Sequence, residues 1–334
     1  LPFPCYISRM LIDIHTHIYT RRWLEILQEQ GGDYHLRLRP DGQKEIFRGD
    51  TPVSIPQAGH FDYDLRIKVM DEAGIDVSIV SLTAPSVFWG TEEVSCRAAQ
   101  EANDSTAEAQ AKYPDRIRWF TSLPWQYPNK AIEELERTCA NGAVGVMVLA
   151  NIDGRSLNDE FFAPIWQAID DKALPVLLHP TDPPGAKVLD MGEFDLSWSV
   201  GFMFDTTLAI TRMMFHGFFD KYPNLKMIAS HGGAALPYLV GRFEKGDEVE
   251  ILERRLMQKK PTDYLQHIYY DCITYDPRAL EYLISIVGQD QVMFGTDWPH
   301  QVFDTVGAKR NTEALPKDQR EAIRYQNAQR VFAL

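Results

Sequence analysis

A single (β/α)8 TIM barrel is the fold class the sequence predicts, and three observations predict it. Eight short apolar runs recur along the 334 residues. Helical periodicity fills most of the intervals between them. The runs are rich in Val, Ile and Leu and lack strict polar alternation, as strands buried on both faces of a parallel sheet do. Strand and helix alternating in this way imply an α/β fold, and eight repeats imply closure into a barrel. An open doubly wound sheet is the runner-up, but no GxGxxG follows any of the runs.

The strand candidates are LIDIH (11–15), DVSIVSL (76–82), RIRWFTSL (116–123) and VGVMVLA (144–150), then PVLLH (175–179), LKMIASH (225–231), IYYDC (268–272) and QVMFGTD (291–297). Between them, DLRIKVMDEAG (64–74) has apolar residues at Leu65, Val69 and Ala73 and stops at Gly74. The Ala-, Glu- and Gln-rich stretch from Glu93 to Tyr113 stops at Pro114, and NKAIEELERTCANG (129–142) closes on Asn-Gly. DEFFAPIWQAIDDK (159–172) and DPRALEYLISIVG (276–288) complete the helical set. Two excursions break the pattern after strands one and five. Residues 18–63 include GGDYHLRLRPDG, which reads as a small hairpin or lid, an inserted subdomain; residues 180–200 include PTDPPGAK and several aromatics. Both follow the carboxyl end of a strand, where barrels place their active sites.

No short-period repeat, low-complexity tract or Ser/Gly linker divides the chain, so residues 11–334 form one domain. The first ten residues, LPFPCYISRM, lack the charged start and apolar centre of a secretory signal. They read as a leader or vector-derived remnant, with Met10 a candidate start. Apolar content of 45% excludes disorder, and no apolar run approaches the length of a membrane span. Lys and Arg total 34 against 47 Asp and Glu, for a formal charge of −13. That sign disfavours nucleic acid and favours solubility. The cysteines at 5, 96, 139 and 272 show no CxxC pairing, which implies a reducing, cytoplasmic setting.

The chemistry concentrates at strand ends. His15 and His17 form an HxH pair, and residues two apart on a strand share a face, so both imidazoles can grip one ion. Alone, that pair equally suits two polar residues at a strand end. His179 ends PVLLH, His231 ends LKMIASH before Gly232-Gly233, and Asp297 ends QVMFGTD. Taken together, strands one, five, six and eight each end in a metal-competent or acid-base residue at the catalytic face. Imidazoles with a carboxylate suit a borderline divalent ion such as zinc.

With DIHTH (13–17), LLHP (177–180), SHGG (230–233), DPRALEYL (276–283) and GTDWP (295–299), the chain resembles the amidohydrolase superfamily over residues 11–334. Within that superfamily it resembles the 2-amino-3-carboxymuconate-6-semialdehyde decarboxylase family and related aromatic-acid decarboxylases. The resemblance implies His15, His17, His179 and Asp297 as ligands of one divalent ion, Zn2+ first and Mn2+ as the alternative. It implies His231 as the acid-base residue, with a ligand role for His231 left open. A second ion would need a lysine or glutamate at the end of strand four, which offers only Asn151 and Asp153.

The resemblance also places Arg48, in IFRGD, at the arginine that binds a substrate carboxylate, with Arg37 and Arg39 as alternatives in the same loop. Guanidinium matches carboxylate bidentately. Arg242 lies eleven residues beyond His231, on the order of 13 Å or more from its own strand end along a helix. The resemblance assigns it to a neighbouring subunit's site, hence a homodimer; an ion pair with Glu244 or Asp247 is the other reading. His35, His60, His216 and His267 read as surface or packing residues, while His300 is near enough in sequence to line the pocket. Trp198, Phe202 and Phe204 wall the pocket or belong to the core.

The expected activity is metal-dependent, non-oxidative decarboxylation of an unsaturated or aromatic acid, either 2-amino-3-carboxymuconate-6-semialdehyde-like or hydroxybenzoate-like. Metal-activated water and His231, with Asp297, would manage the proton. The partner is then a small-molecule carboxylate, not nucleic acid or a membrane. Hydrolysis of a lactone, ester or amide by the same activated water is the alternative, and a non-catalytic metal scaffold the third reading.

Overall fold

The computed structural model describes residues 10–181, 185–186, 188–249 and 255–334. All eight apolar runs form strands: β1 (Ile12–Ile18), β2 (Val77–Leu82), β3 (Ile117–Ser122), β4 (Gly145–Leu149), β5 (Pro175–His179), β6 (Lys226–Ala229), β7 (Tyr269–Asp271) and β8 (Val292–Met293). They pair in parallel in sequence order within one sheet. Every residue of β1, β2, β4 and β5 is buried, which is why these segments read as continuous apolar runs.

Regular pairing in β8 is shorter than the run QVMFGTD predicts, because the chain beyond Met293 bends along β1 instead of continuing straight. There the Ile14 amide donates to the Phe294 carbonyl (3.0 Å), the Asp297 amide to the His15 carbonyl (2.9 Å) and the His17 amide to the Trp298 carbonyl (2.8 Å). These bonds close the barrel and bring Asp297 beside the HxH pair.

The outer helices follow in turn: α1 (Tyr63–Ala73), α2 (Glu92–Lys112), α3 (Pro128–Ala140), α4 (Ala163–Asp171), α5 (Phe202–Phe215), α6 (Leu236–Glu248), α7 (Pro277–Val287) and α8 (Thr305–Glu313). Gly74 stops α1 in the left-handed conformation (φ 67°) that a Cβ disfavours. Helix α5 begins at Phe202, just past the excursion of residues 180–200. It turns Phe204 outward and follows a π-helical turn at Ser197–Gly201. Among the described residues, no helix is long and apolar enough to cross a membrane.

The first excursion is larger than a hairpin. A helix at Arg21–Gln30 leads into an antiparallel three-stranded sheet of Tyr34–Leu38, Lys44–Arg48 and Thr51–Ser54. In the second, Asp182–Pro184 and Lys187 lie outside the described residues, as do residues 1–9, on which the leader reading falls.

Candidate metal centre and cavity

The HxH pair is held from both sides of β1. Arg66, buried on α1, donates to the Thr16 hydroxyl (3.0 Å) and to the His17 carbonyl, with its guanidinium 4.4 Å from the Trp298 ring. Burial lowers its pKa from 12.5 to about 10, which leaves it charged at neutral pH. His15 and His17 therefore occupy a strand end with little freedom, both fully buried.

Hydrogen bonding fixes which imidazole nitrogens are free. His15 Nδ1 lies 2.6 Å from the Asp271 carboxylate, so Nδ1 carries the donated proton. The Ser81 hydroxyl donates to the Thr16 carbonyl (3.2 Å), so His17 Nδ1, 3.1 Å from that oxygen, is again the donor. His179 Nδ1 donates to the Pro180 carbonyl (2.8 Å). In the neutral form each ring then keeps a bare Nε2.

His15 Nε2 and His17 Nε2 are 3.0 Å apart, and Asp297 Oδ1 is 3.0 Å from the latter and 3.6 Å from the former. Electron pairs converging with no proton to share call for a cation, and imidazoles with one carboxylate are a donor set for a divalent ion. His15, His179, His231 and Asp297 present ligand atoms within 4.8 Å of one another; His17, Asp297 and His300 form a second, overlapping group. All five residues expected at the centre are thus together.

The electrostatics suit that donor set. Burial, with help from the neighbouring imidazoles, pulls His17 and His179 well below the usual histidine range and keeps them neutral. Burial also acts downward on His15, but the Asp271 hydrogen bond and surrounding carboxylates outweigh it and its pKa rises. Asp297 is the converse: burial acts upward, yet the surrounding imidazoles of His17, His231 and His300 hold it well below the usual carboxylate range. His231 Nε2 is 3.6 Å from Asp297 Oδ2, and its buried Nδ1 has no hydrogen-bond partner among the described residues.

These groups open onto a cavity of about 760 Å3, whose walls include Trp198, Phe202, Tyr275 and, from the three-stranded sheet, Arg39 and Glu45. His300 lines it too, 4.7 Å from the His17 ring. Arg48 does not: it lies on the outer side of the sheet, paired with Asp153 and 5.4 Å from the Tyr34 ring. Strand alternation accounts for that placement, because Arg48 and Glu45, three apart, face opposite ways. Arg39, one of the two alternatives, is the arginine in the wall, braced by Glu45 (2.9 Å). Asn151, at the end of β4, donates to Asp205 (3.0 Å). Arg242 is exposed on α6, outside the cavity, and neither Glu244 nor Asp247 pairs with it: Glu244 accepts from Thr262 and Asp247 pairs with Arg255. His60 is buried packing, as expected, whereas Asp271 escaped notice altogether.

Comparison with known proteins agrees with this geometry. The chain is 30% identical over 305 residues to the 2-amino-3-carboxymuconate-6-semialdehyde decarboxylase of Dictyostelium discoideum, an alignment covering 88% of this chain and 83% of that relative. It is 32% identical over 284 residues to the gamma-resorcylate decarboxylase of Polaromonas sp. strain JS666, covering 81% and 87%. Among solved structures, the dihydroxybenzoic acid decarboxylase of Polaromonas sp. JS666, with bound manganese and the inhibitor 2-nitroresorcinol, superposes with a TM-score of 0.80 at 28% identity, covering 98% of each chain. The sequence profile described as amidohydrolase matches residues 12–334, from the strand that carries the HxH pair through the last helix. A barrel whose strand ends gather four histidines and an aspartate, matched along its whole described length, belongs to the amidohydrolase family.

Proposed function

We propose that this enzyme is a metal-dependent, non-oxidative decarboxylase of an aromatic or unsaturated carboxylic acid, of the hydroxybenzoate or carboxymuconate-semialdehyde class. The observation that carries the reading is the convergence of bare imidazole nitrogens and an ionised carboxylate at the floor of a cavity with aromatic walls and an arginine. His15, His17, His179 and Asp297 are the ligands we assign to one divalent ion. Manganese replaces zinc as the first choice, since the Polaromonas neighbour holds it. When bound, such an ion supplies positive charge that steadies the negative charge developing on the acid's oxygens.

The chain's own residues do the rest. Arg39 takes the carboxylate and orients it, while Trp198 and Tyr275 flank the unsaturated system. His231 delivers a proton to the carbon that bears the carboxylate, with Asp297 facing its Nε2. A carbon–hydrogen bond forms, the carbon–carbon bond to the carboxylate breaks, and its electron pair restores conjugation as CO2 leaves. The three-stranded sheet covers the cavity and limits water. Arg242 extends toward the active site of a second subunit in a homodimer, and the free thiols of Cys96, Cys139 and Cys272 support a reducing, cytoplasmic setting.

The test is a CO2-release screen of the Mn2+-loaded enzyme with 2,6-dihydroxybenzoate and amino-carboxymuconate semialdehyde, run beside lactone and ester hydrolysis. We expect CO2 from at least one acid and no hydrolysis. Hydrolysis without CO2 overturns the assignment.

A further inference from the structure

Asp271 closes β7 at the bottom of the site and is fully buried. No ligand role falls to it: it belongs to neither of the two groups of metal-competent atoms. Its two oxygens nevertheless reach both halves of the centre. Oδ2 accepts from His15 Nδ1 at 2.6 Å and from the His231 backbone amide at 2.8 Å. Oδ1 accepts from the Gly232 amide at 2.8 Å and from the Ile273 amide at 3.0 Å.

The two sets of bonds do different things. The bond to His15 selects the tautomer in which Nε2 has a lone pair for the cation. The bonds to residues 231 and 232 hold a turn in which His231 has φ 54° and Gly232 has φ 62°, a left-handed conformation that a histidine side chain disfavours. Gly295 packs against this junction, where an added Cβ would lie 3.0 Å from His15 Cβ and 3.2 Å from Asp271 Cβ. The carboxylate has little room to move.

We infer that Asp271 is a positioning residue that couples the two halves of the site: one carboxylate sets His15 for the cation and fixes the turn that aims His231. This rests on the proposed roles of His15 as ligand and His231 as acid-base group. It also explains why an amide is a poor substitute. Asparagine must place its NH2 at one oxygen position. At Oδ2 it faces the His231 amide and pushes His15 to the other tautomer, with Nε2–H toward the cation. At Oδ1 it opposes the amides of Gly232 and Ile273.

The experiment measures Mn2+ affinity by equilibrium dialysis in wild type, Asp271→Asn, His15→Ala and the double variant, with thermal unfolding and kcat at saturating Mn2+ alongside. Asp271→Asn should fold, bind Mn2+ about 10–100-fold more weakly, and lose about tenfold to a hundredfold in kcat even when loaded. In the His15→Ala background it should weaken Mn2+ binding no further. Wild-type affinity in Asp271→Asn, with binding lost in His15→Ala, overturns the inference and leaves the ligand assignment standing. Wild-type affinity in His15→Ala overturns both. A further loss in the double variant equal to that in the single one overturns the route through His15.

Should Asp271→Asn fail to fold, the histidine-15N spectrum of Zn2+-loaded wild type decides. A far-downfield Nδ1–H resonance that disappears in His15→Gln is expected, and its absence from wild type overturns the inference.

Discussion

At the scale of single residues, His231 has the most exposed position of the five central groups and the only imidazole among them with an unpartnered Nδ1. It is also held in a left-handed turn, followed by Gly232 and by Gly233, where a Cβ would approach Tyr270 to 2.5 Å. Lining the cavity at the less buried edge of the cluster, its ring suits the proposed proton transfer, with cation capture assigned to the more buried groups. Truncating it should therefore separate the two. We expect His231→Ala to keep a full equivalent of Mn2+ by elemental analysis while turnover falls about 10²–10⁴-fold, the usual share of an acid-base group. Normal turnover in that variant removes the role; loss of the metal makes His231 a ligand instead. The five central residues were legible in the sequence because four of them end apolar runs and His17 follows His15 on the same strand face, so that position along a strand and position in space coincide. Asp271 also ends a run, IYYDC, yet it stood unread. Unlike Asp297 in GTDWP, it sits in no motif that marks a ligand, and its partner His15 lies 256 residues away.

At the scale of elements, strands proved more legible than loops for a physical reason. A strand buried on both faces must be apolar throughout, so its sequence alone marks it. Helix α5 carries no such mark: Ile210, Met213 and Met214 are buried while Phe204 and Leu208 are exposed, and apolar residues on both sides blur the amphipathic period. The three-stranded sheet is similar. Its residues Tyr34–Leu38 are half-buried or exposed, so nothing in GGDYHLRLRPDG beyond the turn residues fixes how the strands pair. Which arginine of that segment faces the cavity was therefore open until the pairing was known. With Lys44 opposite Leu38 and Arg48 opposite Tyr34, Arg39 ends up beside Glu45 in the cavity wall and Arg48 beside Asp153 outside it. A charged hydrogen bond to substrate is worth about 1.5–3 kcal/mol, or roughly 10–100-fold in binding. Steady-state kinetics should show Arg39→Ala raising KM by that factor, with Arg48→Ala within about threefold of wild type. The reverse pattern returns the carboxylate contact to Arg48.

At the scale of the whole molecule, the barrel explains how residues from 15 to 297 meet, but it leaves Arg242 outside the cavity of its own chain. The residue is exposed on α6, and the carboxylates two and five residues beyond it are committed elsewhere, Glu244 to Thr262 and Asp247 to Arg255. A guanidinium on a helix surface with no ion pair among the described residues suits service to a second copy, and a two-fold pair would make the service reciprocal. That arrangement has an arithmetical signature. Arg242→Ala chains and His231→Ala chains should each be nearly inactive alone. When the two are mixed and allowed to exchange, about half of the dimers are hybrids, and each hybrid has one site with both side chains intact. Activity should therefore recover to about a quarter of the wild-type value at equal total protein, the fraction expected for random pairing in a two-fold dimer. Differential tags followed by native mass spectrometry would establish that hybrids form. Hybrids without recovered activity, or a chain that stays monomeric at assay concentration, would confine Arg242 to the surface of its own subunit.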